Sequence, residues 1–259
     1  VVEMTAEAAA QMIFAPRRMP AEPWEEPAGA AAVPHTLPSG AVVSTWGDEG
    51  PAVLLVHGWE GRSTQFAGLI GVLVASGRRA VAVDAPGHGR SPDAEYSPVR
   101  HGEVLLEALP GHAPFEAVVT HSFGSTATFH ALRHGLTVGR IALISPLVSL
   151  TDRLAEIAGY FGFEGPVRAD FLDRVQHRLS GVPIADLDID RRPCPDGPTL
   201  LCHDTEDREI PVDSTIALAR QWTDARLIVT NGLRHRRILA DPTVVETVAR
   251  HLGVSAPVR

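Results

Sequence analysis

Lysine is missing altogether: all 23 basic residues of this 259-residue chain are arginine. That excludes Schiff-base chemistry on a lysine amine, and with it pyridoxal-phosphate enzymes and lysine aldolases. It equally excludes a Gly-Lys-Ser/Thr phosphate loop and the nucleotide hydrolysis built on one. Cysteine is nearly missing: Cys194 and Cys202 are too few for a disulfide framework or a zinc site. Cys202 lies in the apolar run Thr199–Cys202, where an inert buried thiol is expected, and a reducing compartment is the simpler reading. Positive charge is short as well. The 31 acidic residues leave a net charge of −8, which argues against nucleic acid or an anionic membrane surface as the main partner. Arg234, Arg236 and Arg237 form only a local basic cluster. No apolar run reaches membrane-spanning length, so no membrane insertion is expected. Residues Val1 to Arg18 carry Glu3, Glu7 and Gln11 and lack the basic start and apolar block of a signal peptide. The expected location is cytoplasmic.

What is there reads as a globular chain able to bury a core without staples, with 44% hydrophobic and 21% charged residues. Residues 1–40 are rich in Ala, Pro and Glu, and Pro16, Pro20 and Pro23 forbid a continuous helix or a central strand there. This stretch is expected to be an N-terminal arm lying over the domain, with a short helix before Pro16. From Ala41 onward, short Val/Ile/Leu runs recur at 41–46, 52–57, 80–84, 116–121, 140–145, 199–203 and 226–230. Each is bounded by Gly, Pro or Asp. Segments with helical spacing lie between them, at 64–76, 98–109, 123–134, 213–222 and 242–252. Asp241–Pro242 supplies the last with a cap and a proline at its first position. Continuous apolar strands alternating with helices predict an α/β fold, a mostly parallel sheet covered on both faces. Residues 147–197 break the rhythm with two amphipathic stretches near 151–161 and 167–179. They are expected to form a small helical cap over the strand ends, set between core segments 41–146 and 198–259.

Three stretches carry chemistry. In Val118–Val119–Thr120–His121–Ser122–Phe123–Gly124–Ser125 a buried strand runs into a serine and then a helix of small residues. A sharp turn there lifts the serine oxygen above the sheet, and the helix aims its N-terminal N–H groups and dipole at the same place. In Val53–Leu54–Leu55–Val56–His57–Gly58–Trp59 a second strand ends in a loop. Acyl transfer needs two N–H donors converging on the developing oxyanion, and Phe123 and Trp59 are in position to supply them. The His57 side chain is read as structural. In Asp84–Ala85–Pro86–Gly87–His88–Gly89–Arg90–Ser91 a strand ends in a Gly-rich turn without lysine, and Asp84 and His88 are read as loop-fixing groups.

These three motifs, in this order and spacing, resemble the α/β-hydrolase superfamily over residues 41–252. The Asp-x-Pro-Gly-His-Gly-x-Ser loop is the most specific of them. The resemblance implies the chain order Ser, Asp, His. In that family the acid precedes an apolar residue and a proline, here Ile210–Pro211, which picks Asp207 over the runners-up Asp204 and Glu206. The base follows the last strand, which picks His235. Thr120 departs from the family, where glycine usually stands, and Arg234 and Arg236 are unusual neighbours for the base.

The resemblance therefore implies a serine hydrolase that needs no metal or organic cofactor. Ser122 would attack, His235 would take its proton, and Asp207 would orient the imidazole. The expected reaction is cleavage of a small or medium acyl ester, with a small-molecule acyl substrate as partner. Tyr160, Phe161 and Phe163 of the cap are expected to line its pocket. Thioester, lactone and carbon–carbon hydrolysis use the same triad, and a ligand-binding homologue without turnover is the other alternative. Dehalogenase and epoxide-hydrolase branches carry Asp at the nucleophile position and are disfavoured. Oligomeric state is not legible.

Overall fold

The structure is a computed structural model that describes residues 4–254; the ends of the segments drawn above as 1–40 and 198–259 lie partly outside it. Its strands are β1 (Val33–Thr36), β2 (Val42–Trp46), β3 (Ala52–Val56), β4 (Arg79–Asp84), β5 (Phe115–His121), β6 (Val138–Ile144), β7 (Thr199–Asp204) and β8 (Arg226–Thr230). They form one sheet in the order β1-β2-β4-β3-β5-β6-β7-β8. β1 and β2 pair antiparallel, as do β2 and β4, and every later pairing is parallel.

The helices are α1 (Ala6–Phe14), α2 (Glu26–Ala31), α3 (Ala67–Ala75), α4 (Pro98–Glu107), α5 (Leu109–His112), α6 (Phe123–Arg133), α7 (Leu150–Tyr160), α8 (Gly165–His177), α9 (Val212–Gln221), α10 (Arg234–Arg237) and α11 (Pro242–His251). Their starts follow from local chemistry. Thr5, Ser97, Ser149 and Asp241 each accept a backbone N–H three residues on, and proline opens α4 and α11.

The central strands are buried on both faces because alternate residues serve different cores. In β3, Val53 and Leu55 face a core shared with Leu69, Leu73, Val244 and Val248 of α3 and α11. Leu54 and Val56 face the opposite core, with Val104, Leu105 and Phe129 of α4 and α6. A third core holds α1, α7 and α8 together through Ala9, Phe14, Leu154, Phe171 and Val175.

Two features of the N-terminal stretch differ from expectation. Val33–Thr36 joins the sheet as its exposed edge, so the arm ends before residue 33 rather than at residue 40. The segment before it is also built in rather than merely draped, since Ala6, Ala9, Ala10 and Phe14 are buried in the third core. The short helix before Pro16 is present as α1. Residues 147–197 contain α7, α8 and the turn Ile184–Leu187, with no strand among them.

Candidate active site

The parallel strands all end on the same side of the sheet, and the loops after β3, β5, β7 and β8 meet there. β5 ends at His121, and Ser122 turns the chain into α6 with φ 55° and ψ −128°, a left-handed conformation that non-glycine residues avoid. The turn is held from below. The Ser122 N–H donates to the Ile144 carbonyl at 3.1 Å, and its carbonyl accepts from Ser125 and Leu147. Gly124 is required here: a Cβ would lie 2.5 Å from the carbonyl oxygens of Val56 and His57. Thr120 is accommodated by a different device. Its hydroxyl bonds the Ser125 hydroxyl at 2.6 Å, closing the start of α6 onto the strand in full burial.

The structure brings Ser122, His235 and Asp207 together. His235 Nε2 lies 3.0 Å from Ser122 Oγ, and its Nδ1–H donates to Asp207 Oδ2 at 2.6 Å. The second oxygen of Asp207 accepts the N–H groups of Glu209 and Ile210, both at 2.9 Å. Burial alone would push the Asp207 carboxyl up. Hydrogen bonds from His203 and His235 outweigh it and hold this acid well below the usual carboxylate range. The arrangement can pass a proton from hydroxyl to imidazole while a fixed negative charge steadies the imidazolium.

Phe123 adjoins the serine, and the loop that carries Trp59 packs against it. Phe123 is the first residue of α6, where an N–H has no acceptor within its own helix. The loop after β3 presses directly on Ser122: a Cβ on Gly58 would sit 2.5 Å from Ser122 Cβ. Trp59 follows Gly58 in that loop. His57 holds the loop, donating from Nδ1 to the Gly58 carbonyl and accepting the Ala85 N–H on Nε2. His88 holds the same loop two residues further on, accepting the Glu60 N–H at 2.9 Å. Asp84 accepts the N–H groups of Ser63 and Arg90.

Tyr160 and Phe161 line a mostly apolar cleft of about 500 Å³, together with Met12, Ile13, Trp59, Phe123 and Ile157, and the ion-paired Arg153 and Glu156 complete its lining. Phe163 is not brought to it. That ring is buried between Phe161 and Phe171, because α7 ends at Tyr160 and the turn through Gly162 folds Phe163 back into the third core.

Sequence reasoning missed three groups around the triad. His203 is fully buried on β7; its Nε2–H points at Asp207 Oδ2 and the Ile210 carbonyl, both at 3.1 Å, and its Nδ1 accepts from Thr215. Asp204, a runner-up for the acid, is fully buried, and its carboxylate accepts the N–H groups of Leu233 and Arg234 at 3.0 and 2.9 Å. It thus anchors the turn before His235. Glu60, also buried, receives Arg17 from the N-terminal segment. Arg236 is not a free cation: it pairs with Glu209 at 3.3 Å and stands 3.8 Å from Glu60. Among the described residues no cluster of three or more His, Cys, Asp or Glu side chains could hold a metal ion, and burial pushes the Cys202 thiol up to about 12, leaving it inert.

Several histidines near the site are held neutral by burial. It pushes His57 down to about 4 and His88 down to about 3, and carries His101 and His121 well below the ordinary value. The unfolded chain takes up these protons below about pH 6.5, while the native state refuses them. Their contribution to stability is therefore complete above about pH 6.5 and is lost as pH falls toward the folded values. Asp207 adds nothing in that window, since its contribution is lost only below about pH 4. The urea midpoint should fall steadily between pH 7 and 4.5, each refused proton costing up to about 1.4 kcal/mol for every pH step of one. A midpoint that stays level over that range would contradict the neutral assignments.

A mostly parallel sheet with a strained serine turn, an imidazole and a buried acid at its carboxyl edge defines the α/β-hydrolase class. Residues 53–248 match the model of the alpha/beta hydrolase family, and the chain belongs to that family. An esterase from Mycobacterium tuberculosis is 36% identical over 117 residues, covering 43% of this chain and 38% of that protein. A pimeloyl-[acyl-carrier protein] methyl ester esterase from Methylococcus capsulatus is 31% identical over 135 residues, covering 52% of this chain and 50% of the other. The matches thus span no more than half the length of these relatives. Among solved structures, an esterase from Exiguobacterium antarcticum superposes with a TM-score of 0.63 at 19% identity, over 85% of this chain and 99% of that one, a likeness of fold. Among the described residues, no helix is long and apolar enough to cross a membrane.

Proposed function

We propose that the chain is a serine hydrolase that cleaves a small or medium acyl ester through an acyl-enzyme. The observation that carries this reading is the continuous hydrogen-bonded run from Ser122 Oγ through His235 to Asp207. Ser122 Oγ attacks the ester carbonyl carbon as His235 Nε2 takes its proton, and the Trp59 and Phe123 N–H groups stabilise the oxyanion. His235 then gives the proton to the departing alkoxide. Water, deprotonated by the same imidazole, releases the acid and frees Ser122. Residues 147–197 act as the cap, and Tyr160 and Phe161 contact the acyl group. The names of the two relatives support an ester over the other acyl bonds that a triad can break.

A fluorophosphonate probe should label the wild-type protein on Ser122 and leave Ser122→Ala unlabelled. Nitrophenyl esters of graded chain length should be turned over by the wild type. A protein that is folded, takes no label and hydrolyses none of the esters would overturn the proposal.

A further inference from the structure

The N-terminal segment is tied down around the cleft at four successive points. α1 is first fixed to the cap. Ala9 and Phe14 pack with Leu154 and Phe171, and Glu7 pairs with Arg174 and with Arg178, the latter at 2.8 Å. The Ile13 carbonyl then accepts the Trp59 indole N–H at 3.0 Å. Beyond it, the Phe14 carbonyl accepts the Tyr96 N–H at 2.8 Å. Finally, the Arg17 guanidinium forks onto both oxygens of Glu60 at 2.7 and 3.1 Å, and the Arg17 N–H adds a third bond at 3.2 Å. Burial would push the Glu60 carboxyl up; the bonds from Arg17 outweigh it and keep the group charged. Glu60 directly follows Trp59, so this clamp sits on the loop proposed to hold the oxyanion.

Held in this way, α1 turns two side chains into the cleft. Ile13 is partly buried and Met12 is 44% exposed, and both share the lining with Ile157 and Phe161 of the cap region. The family match begins at residue 53, so this wall comes from outside the matched part of the chain. We infer that the N-terminal segment is a substrate-selecting part of the site, in which Met12 and Ile13 set the length of acyl chain the cleft accepts. The inference rests on the ester-hydrolase reading above. Its physical ground is that the cleft is mostly apolar, with its charged lining residues Arg153 and Glu156 paired to each other, and that an unbranched, adaptable thioether forms one side of it, so side-chain volume at position 12 limits how far a chain extends.

The test uses the full chain and nitrophenyl esters from acetate to decanoate. Met12 is half-exposed, so substitutions there leave the core packing intact. Met12→Trp should lower kcat/KM for octanoate at least about tenfold more than for acetate, and Met12→Ala should raise the octanoate-to-acetate ratio several-fold. Met19→Trp, comparably exposed at 41% but away from this cleft, should keep the wild-type ratio. Unchanged ratios in the Met12 variants of an active enzyme, or equal losses at every chain length, overturn this inference alone. A wild type that turns over no ester overturns the ester reading and this inference with it.

Discussion

Replacing Ser122 with alanine should leave the protein folded and lower kcat for a nitrophenyl ester by about 10⁵-fold or more, the scale on which serine triads lose their nucleophile. The alanine fits the turn, since a Cβ is already present there and the bonds that hold the turn come from the backbone of residue 122. His235→Ala should cost a similar factor. The double variant should be no worse than either single one, because hydroxyl and imidazole act as one unit. Asp207→Asn should cost about 10⁴, because the amide favours the wrong imidazole tautomer. Kinetics on purified variants with matched thermal melts checks all four. Retention of more than a tenth of wild-type kcat in Ser122→Ala would remove Ser122 from the chemistry.

Asp204→Ala should be nearly as damaging by another route. Its carboxylate accepts from Leu233 N, Arg234 N, Thr230 Oγ1 and Glu206 N in full burial. Alanine leaves those donors without a partner, at about 1–3 kcal/mol for each that water cannot reach. Arg234 also holds a φ of 63°, a conformation that persists only while its surroundings enforce it. With the anchor gone the turn relaxes, His235 drifts from Ser122, and a displacement near 1 Å costs about 10²-fold in rate. Asp204→Ala should therefore lose at least about 10²-fold in kcat together with several degrees of Tm. Glu206→Ala, half-exposed and 4.0 Å from Arg234, should lose neither. Equal behaviour of the two variants would show that Asp204 does not position the base.

The contrast between those two acids shows where sequence reading stops. Among the described residues, seven of the eight strands were legible because each is a Val/Ile/Leu run closed by a turn residue. β1 was not, because Val33–Pro34–His35–Thr36 is four residues long, contains proline and is exposed throughout. The serine turn and the loops around it announce themselves locally, through strand–turn–helix order and glycines that cannot be replaced. Asp204 and His203 do not. Their partners lie at Leu233, Arg234 and Thr215, and nothing in His203–Asp204–Thr205–Glu206–Asp207 tells which acid turns inward. Phe163 fails for a related reason. An aromatic residue near a cap reads alike whether it faces a cleft or the core, and one turn at Gly162 decides between them. Arg17 pairs with a partner 43 residues away, so a proline-rich arm gave no hint that it grips the site.

The absence of lysine acquires a practical meaning once that grip is known. Guanidinium groups stay charged beyond about pH 12, whereas ammonium groups discharge near about 10.4. The joint between Arg17 and Glu60 thus has no alkaline breaking point in the range where most proteins are handled. Acylating reagents and aldehydes that seek primary amines find no side chain to attack, so surface attachment chemistry of that kind passes the wall of the cleft by.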